Sequence, residues 1–209
     1  IFSFSLFSYS NSIGVLIVMT MDAMMITYYL GLKETGVYTT IIYLTSALQI
    51  PYKSLMRVST PLIPQYWKEK NLDKIAELYK KVSTISLIVG LFMFLLIWTS
   101  RYELFSFLPS EFLVGIWVFL FLMIGRILDM YFGLNGWIFI TSKKYKYDLV
   151  FTFILLILVF ILNVLLIPIY GIIGAAISTG FALIVYNLGR MLFVYFVYDI
   201  HPFKWNQLK

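Results

Sequence analysis

The sequence predicts an all-α, polytopic membrane protein, a bundle of six transmembrane helices. Three observations carry that expectation. Only 12% of the 209 residues are charged and 61% are hydrophobic, whereas a soluble domain carries about 25% charged residues. The apolar residues fall into six runs of roughly 20 residues or more, enough to cross a bilayer core. These runs are too long and too uniformly apolar for barrel strands, so helices are what can satisfy every backbone group in lipid. Short connections make the six runs one lobe spanning 1–209.

The first span runs from about Phe4 to Leu30, with Ser8, Ser10, Asn11 and Ser12 early and Asp22 late. After a short Gly31–Gly36 turn, the second covers about Val37 to Trp67 and holds Pro51, Pro61 and Pro64. Prolines leave carbonyls unpaired and bend a helix. The stretch at about 68–81 is the most charged in the chain; Leu72, Ile75, Ala76, Leu78 and Tyr79 are spaced as one side of an interfacial amphipathic helix. It leads into the third span, about Val82 to Trp98. The fourth is about Phe112 to Ile140, the fifth about Leu149 to Ile167 before Pro168, and the sixth about Ile172 to Tyr198. The tail, with Pro202 and Trp205, reads as an interfacial exit. The chain begins at Ile1 inside an apolar run, without a charged leader, and reads as a piece of a longer protein.

Loop charges predict the orientation. The connections after spans two, four and six carry Lys68, Lys70, Lys74, Lys80, Lys81, Lys143, Lys144, Lys146, Lys204 and Lys209; those after spans one, three and five carry only Lys33 and Arg101. This alternation places both ends of the chain in the cytoplasm of a multi-pass protein in the cytoplasmic (inner) membrane. It also explains the net charge of +6 without nucleic acid as a partner. There is no cysteine and a single histidine, His201. No phosphate-cradling glycine loop, zinc spacing or nucleophile–base set occurs. An enzyme, a metal site and a cofactor are accordingly not expected.

Charges within spans are the candidate functional residues, because a charge near the bilayer centre costs at least about 2.5–3.5 kcal/mol and normally faces a bundle interior. They are Asp22, Lys53, Arg57, Arg126, Asp129 and Arg190. A continuous helix would stack Gln49, Lys53 and Arg57 on one face, at i, i+4 and i+8. In the fourth span Arg126, Asp129, Gly133 and Gly136 share a face, as do Thr179, Tyr186 and Arg190 in the sixth. Four cations against two acids predict a cavity that attracts anions. Bland readings stand beside this one. Arg126 and Asp129 neutralise each other as an ion pair, Arg190 and Arg57 snorkel to the headgroups, and Asp22 is a packing hydrogen-bond partner; against these, Asp22 and Asp129 are the candidates for proton or cation coupling.

Three stretches carry a resemblance. They are Met21 to Gly31 followed by Thr35-Gly-Val-Tyr38, then Pro61-Leu-Ile-Pro64 running into Asn71–Lys81, then Asn163-Val-Leu-Leu-Ile-Pro168-Ile-Tyr-Gly171 to Thr179. In this order they resemble the polysaccharide, O-antigen-type lipid-linked oligosaccharide flippases of the multidrug/oligosaccharidyl-lipid/polysaccharide exporter superfamily. The resemblance implies the C-terminal lobe of a two-lobe fold, with the N-terminal lobe of the same protein missing from this chain. It implies alternating access around a central cavity and a lipid-pyrophosphate-linked glycan as substrate, a precursor of lipopolysaccharide or another polysaccharide. Lys53, Arg57, Arg126, Arg190 and Gln49 would then meet the diphosphate. The alternatives are a cation-coupled multidrug exporter of the same superfamily and a non-transporting membrane subunit or scaffold.

Overall fold

The computed structural model describes residues 2–202, apart from the side chains of 2–8, Ser12 and Met19. Ser8 and Ser12 of the first span therefore lie outside the described side chains, and the exit containing Lys204, Trp205 and Lys209 lies outside the described residues. Among the described residues every regular element is helical. In chain order they are α1 (Phe2–Leu30), α2 (Leu32–Ser46), a 3-10 turn (Ala47–Gln49), α3 (Ile50–Ser59), α4 (Leu62–Lys68) and α5 (Leu72–Thr99). There follow α6 (Arg101–Ser106), a second 3-10 turn (Ser110–Gly115), α7 (Ile116–Phe132), α8 (Leu134–Thr141), α9 (Lys146–Tyr170) and α10 (Ile172–Tyr198). Among the described residues, five helical segments are long and apolar enough to cross a membrane: Tyr9–Leu30, Leu72–Thr99, Ser110–Phe132, Lys146–Tyr170 and Ile172–Tyr198. The stretch expected as the second span is instead divided among α2, the 3-10 turn, α3 and α4.

Local chemistry sets these boundaries. Pro51 lies in the first turn of α3, and Pro61 and Pro64 lie at the start of α4, where no intrahelical N–H is needed. The second span is thus broken into short helices. The charged segment is not a separate interfacial helix. Asn71 caps α5 by accepting from the Lys74 backbone N–H at 3.1 Å, and no glycine or proline occurs between there and Gly90, so α5 runs unbroken through Lys81. The fourth span breaks between α7 and α8 at Gly133. The fifth extends past both predicted ends, which places Asp148 in its first turn.

Helix α10 packs against α9 and α7, α1 against α9 and α2, and α5 against α7. The α7–α10 crossing is close because Gly125 meets Gly180: a Cβ on Gly125 would lie 3.2 Å from the Gly180 Cα. At one end of the lobe Trp67 donates to Thr141 Oγ1 at 3.1 Å and packs edge-on against Tyr198, gathering the lysine-bearing connections. At the other, Lys33 pairs with Glu111 at 2.5 Å, and that contact holds the Lys33 ammonium above its usual range.

Candidate functional site

Asp22 is 4% exposed and joins four helices. Its Oδ2 accepts from the Tyr38 hydroxyl of α2 at 2.6 Å and from the Thr179 hydroxyl of α10 at 2.7 Å, and its Oδ1 accepts from Asn163 Nδ2 of α9 at 2.7 Å. All three neighbours donate, so the arrangement suits an ionised carboxylate. Among the described residues no cation lies within ion-pair distance of it. Asn163 Oδ1, fully buried beside it, has no donor. One carboxylate, one unsatisfied amide oxygen and two hydroxyls form an all-oxygen set. Such a hard donor set fits a proton or a small alkali cation; among the described residues no third acidic or histidine ligand gathers for a multivalent metal.

A second polar layer lies towards the lysine-bearing end of α1, α9 and α10. Arg190 Nη2 meets Asp148 Oδ1 at 2.5 Å, Asn11 Nδ2 donates to Asp148 Oδ2 at 3.0 Å, and Thr152 Oγ1 donates to Asn11 Oδ1. Arg190 is 7% exposed; its guanidinium lies over the Tyr186 ring, 4.7 Å from the centroid, and against Gly136. A Cβ at Gly136 would come within 2.8 Å of Nη2, so a larger residue there would require the guanidinium to shift. Between the two layers, Val18, Leu155, Val159 and Ala182 form an apolar plug.

The structure divides the predicted cationic face. Arg126 does not pair with Asp129. Its Nε donates to Thr45 Oγ1 at 2.9 Å, its Nη1 to Gln49 Oε1 at 2.8 Å and its Nη2 to the Ile42 carbonyl at 3.3 Å. Asp129 instead accepts from Asn187 Nδ2 at 3.0 Å. Gln49 does not stack with Lys53 and Arg57. Gln49, the last residue of the 3-10 turn, turns in towards Arg126, while Lys53 and Arg57 stay exposed on α3. Arg190 does not snorkel; burial and Asp148 hold it inside.

Sequence reasoning missed Asp148, which fell between the predicted loop and span, and the amide of Asn163. One signal was available. Asn11 and Asp22, Thr152 and Asn163, and Thr179 and Arg190 are each eleven residues apart, three helical turns at 3.67 residues per turn, so each pair shares a helix face.

Neither a protein-family description nor a curated protein matches the chain. Among solved structures it is similar to an outward-facing conformation of a multidrug resistance MATE family transporter of the MOP superfamily, with a TM-score of 0.78 and 14% identity over 98% of this chain. The chain spans 47% of the length of that transporter. The likeness is one of fold: a helical lobe laid out like about half of that transporter.

Proposed function

We propose that this chain is one lobe of a cation-coupled, alternating-access exporter, working beside a second lobe in the cytoplasmic membrane with its lysine-bearing end in the cytoplasm. The observation that carries the proposal is the junction at Asp22. A buried carboxylate tying together α1, α2, α9 and α10, with an unsatisfied oxygen beside it, is costly in a merely structural bundle and useful in a transporter. Taking up or releasing a cation there changes the attraction among four helices at once. That differential interaction is what a rocking lobe requires. The lobe works by binding and movement, without covalent chemistry.

For the substrate, the exposed pair Lys53 and Arg57 favours an anionic headgroup. Arg126 and Arg190 are engaged inside the lobe, which leaves α3 to present two cations one turn apart, a match for the diphosphate of a lipid-linked oligosaccharide. The second reading is a multidrug exporter. It is favoured by the name of the solved transporter with this fold and needs only the Asp22 junction, not Lys53 and Arg57. The test is the Lys53→Ala/Arg57→Ala double variant in the full-length protein, with membrane insertion checked by cell fractionation. Loss of surface glycan with normal insertion is expected. Unchanged glycan export would overturn the glycan reading and leave the drug reading in place.

A further inference from the structure

The two polar layers of the α1–α9–α10 sheaf have the same make-up. The layer near the lysine-poor end holds Asp22 with an asparagine (Asn163), a threonine (Thr179) and a tyrosine (Tyr38). The other holds Asp148 with Asn11 and Thr152, and with Tyr186 against the ion pair. They differ in one respect: Asp148 has a tethered cation, Arg190, and Asp22 has none among the described residues.

We propose that Arg190 is a built-in counter-cation that occupies the second of two carboxylate sites and so fixes the uptake of this lobe at one exchangeable cation. The assignment rests on the reading of Asp22 as the coupling site. Over their full lengths α1, α9 and α10 carry two acids, Asp22 and Asp148, and two bases, Lys146 in the first turn of α9 and Arg190; Arg190 is ion-paired with Asp148, whereas Asp22 has no cation within ion-pair distance among the described residues. An isolated carboxylate is expensive in a low-dielectric interior, and an exchangeable cation at Asp22 offsets that cost. The apolar plug of Val18, Leu155, Val159 and Ala182 separates the layers by about 16 Å at 1.5 Å per residue, so Arg190 cannot serve both acids. Gly136 provides the flat surface that holds the guanidinium against Asp148. The other titratable groups near Arg190 are Asp129 of α7, itself bonded to Asn187, Tyr52 of α3, Tyr79 of α5 and Tyr186 of α10. None of these supplies a further cation.

The test is sodium-22 equilibrium binding to the purified full-length protein, read as differences from the unmutated protein. Arg190→Gln is expected to bind one more sodium ion per molecule, and Asp148→Asn/Arg190→Gln to return to the original number. Asp22→Asn should bind one fewer, and Asp22→Asn/Arg190→Gln should equal the original. Arg190→Lys, which keeps the tethered charge, should leave the count unchanged. If Arg190→Gln takes up one extra proton between pH 8 and pH 6 instead of a sodium ion, and Asp148→Asn cancels that uptake, the assignment stands with the proton as the cation. If Arg190→Gln fails to fold in N-methylglucamine chloride, recovery in sodium chloride of the same ionic strength, or on acidification, supports the assignment; failure under all three conditions overturns it. An Arg190→Gln protein that gains neither sodium nor proton also overturns it, while loss of one ion in Asp22→Asn would still uphold the coupling site. Unchanged binding in Asp22→Asn would instead remove the reading on which this inference rests.

Discussion

Replacing Asp22 by asparagine separates a coupling role from a packing role, because the structure predicts that the fold survives the change. In the native arrangement two hydroxyls donate to Oδ2 and the Asn163 amide donates to Oδ1. In Asp22→Asn the single side-chain carbonyl takes both hydroxyl bonds and the new NH2 faces Asn163. That contact would set donor against donor, but Asn163 Oδ1 has no partner, so a half-turn of the Asn163 amide presents an acceptor and restores all three bonds. What is lost is charge assistance, about 1 kcal/mol per bond, and this is offset because no charge is buried any longer. Asp22→Ala has no such escape. It strands the buried Tyr38 and Asn163 donors at about 1–3 kcal/mol each, or about 2–6 kcal/mol together. The assay is thermal unfolding in detergent across a sodium titration at constant ionic strength. A protein that binds sodium only when folded gains about 2.7 kcal/mol at a concentration 100 times Kd, a shift of about 5–10 °C for a chain of this size. Asp22→Asn should unfold near the temperature of the sodium-free native protein and show no sodium dependence. A sodium shift of undiminished size in Asp22→Asn would refute the reasoning.

Three further outcomes are expected. Arg126→Ala should destabilise the lobe by about 2–4 kcal/mol, since Arg126 makes three charge-assisted bonds to the α2 end and the 3-10 turn; hydrogen exchange should rise first at Ala47–Gln49, and protection there equal to the native protein would count against the clamp. Gly136→Ala should displace the guanidinium from Asp148 and cost about 1–3 kcal/mol, read as a lower midpoint in chemical denaturation, whereas an unchanged midpoint would mean that Arg190 has room to move. Trp67→Phe removes the donor to Thr141 while keeping the aromatic contact with Tyr198; a loss of about 1 kcal/mol is expected by the same denaturation, and a loss several times larger would show that the indole does more than bridge α4 to α8.

The places where the sequence reading and the structure part company share one cause. A charge in an apolar span announces that it must be paired, but spacing along one helix does not name a partner on another. Arg126 and Asp129 are three residues apart and read as a pair; their strongest contacts lie across helix interfaces, on Gln49 and Thr45 for one and on Asn187 for the other. Gln49 reads as stacked with Lys53 and Arg57, but its contact is Arg126 of α7. Asp148 was overlooked because the apolar run begins one residue after it, whereas hydrogen bonding carries α9 back to Lys146.

Composition and periodicity alone determined the membrane class and the helical architecture, because these follow from the cost of exposing backbone and charge to lipid, which each segment meets within itself. The inward turn of Asp22, the charge pairing of Arg190 with Asp148 and the exposure of Lys53 and Arg57 were decided only by tertiary structure. Each depends on which helix faces meet at close crossings such as Gly125 on Gly180, and a buried charge is stabilised by neighbours up to 157 residues away in sequence.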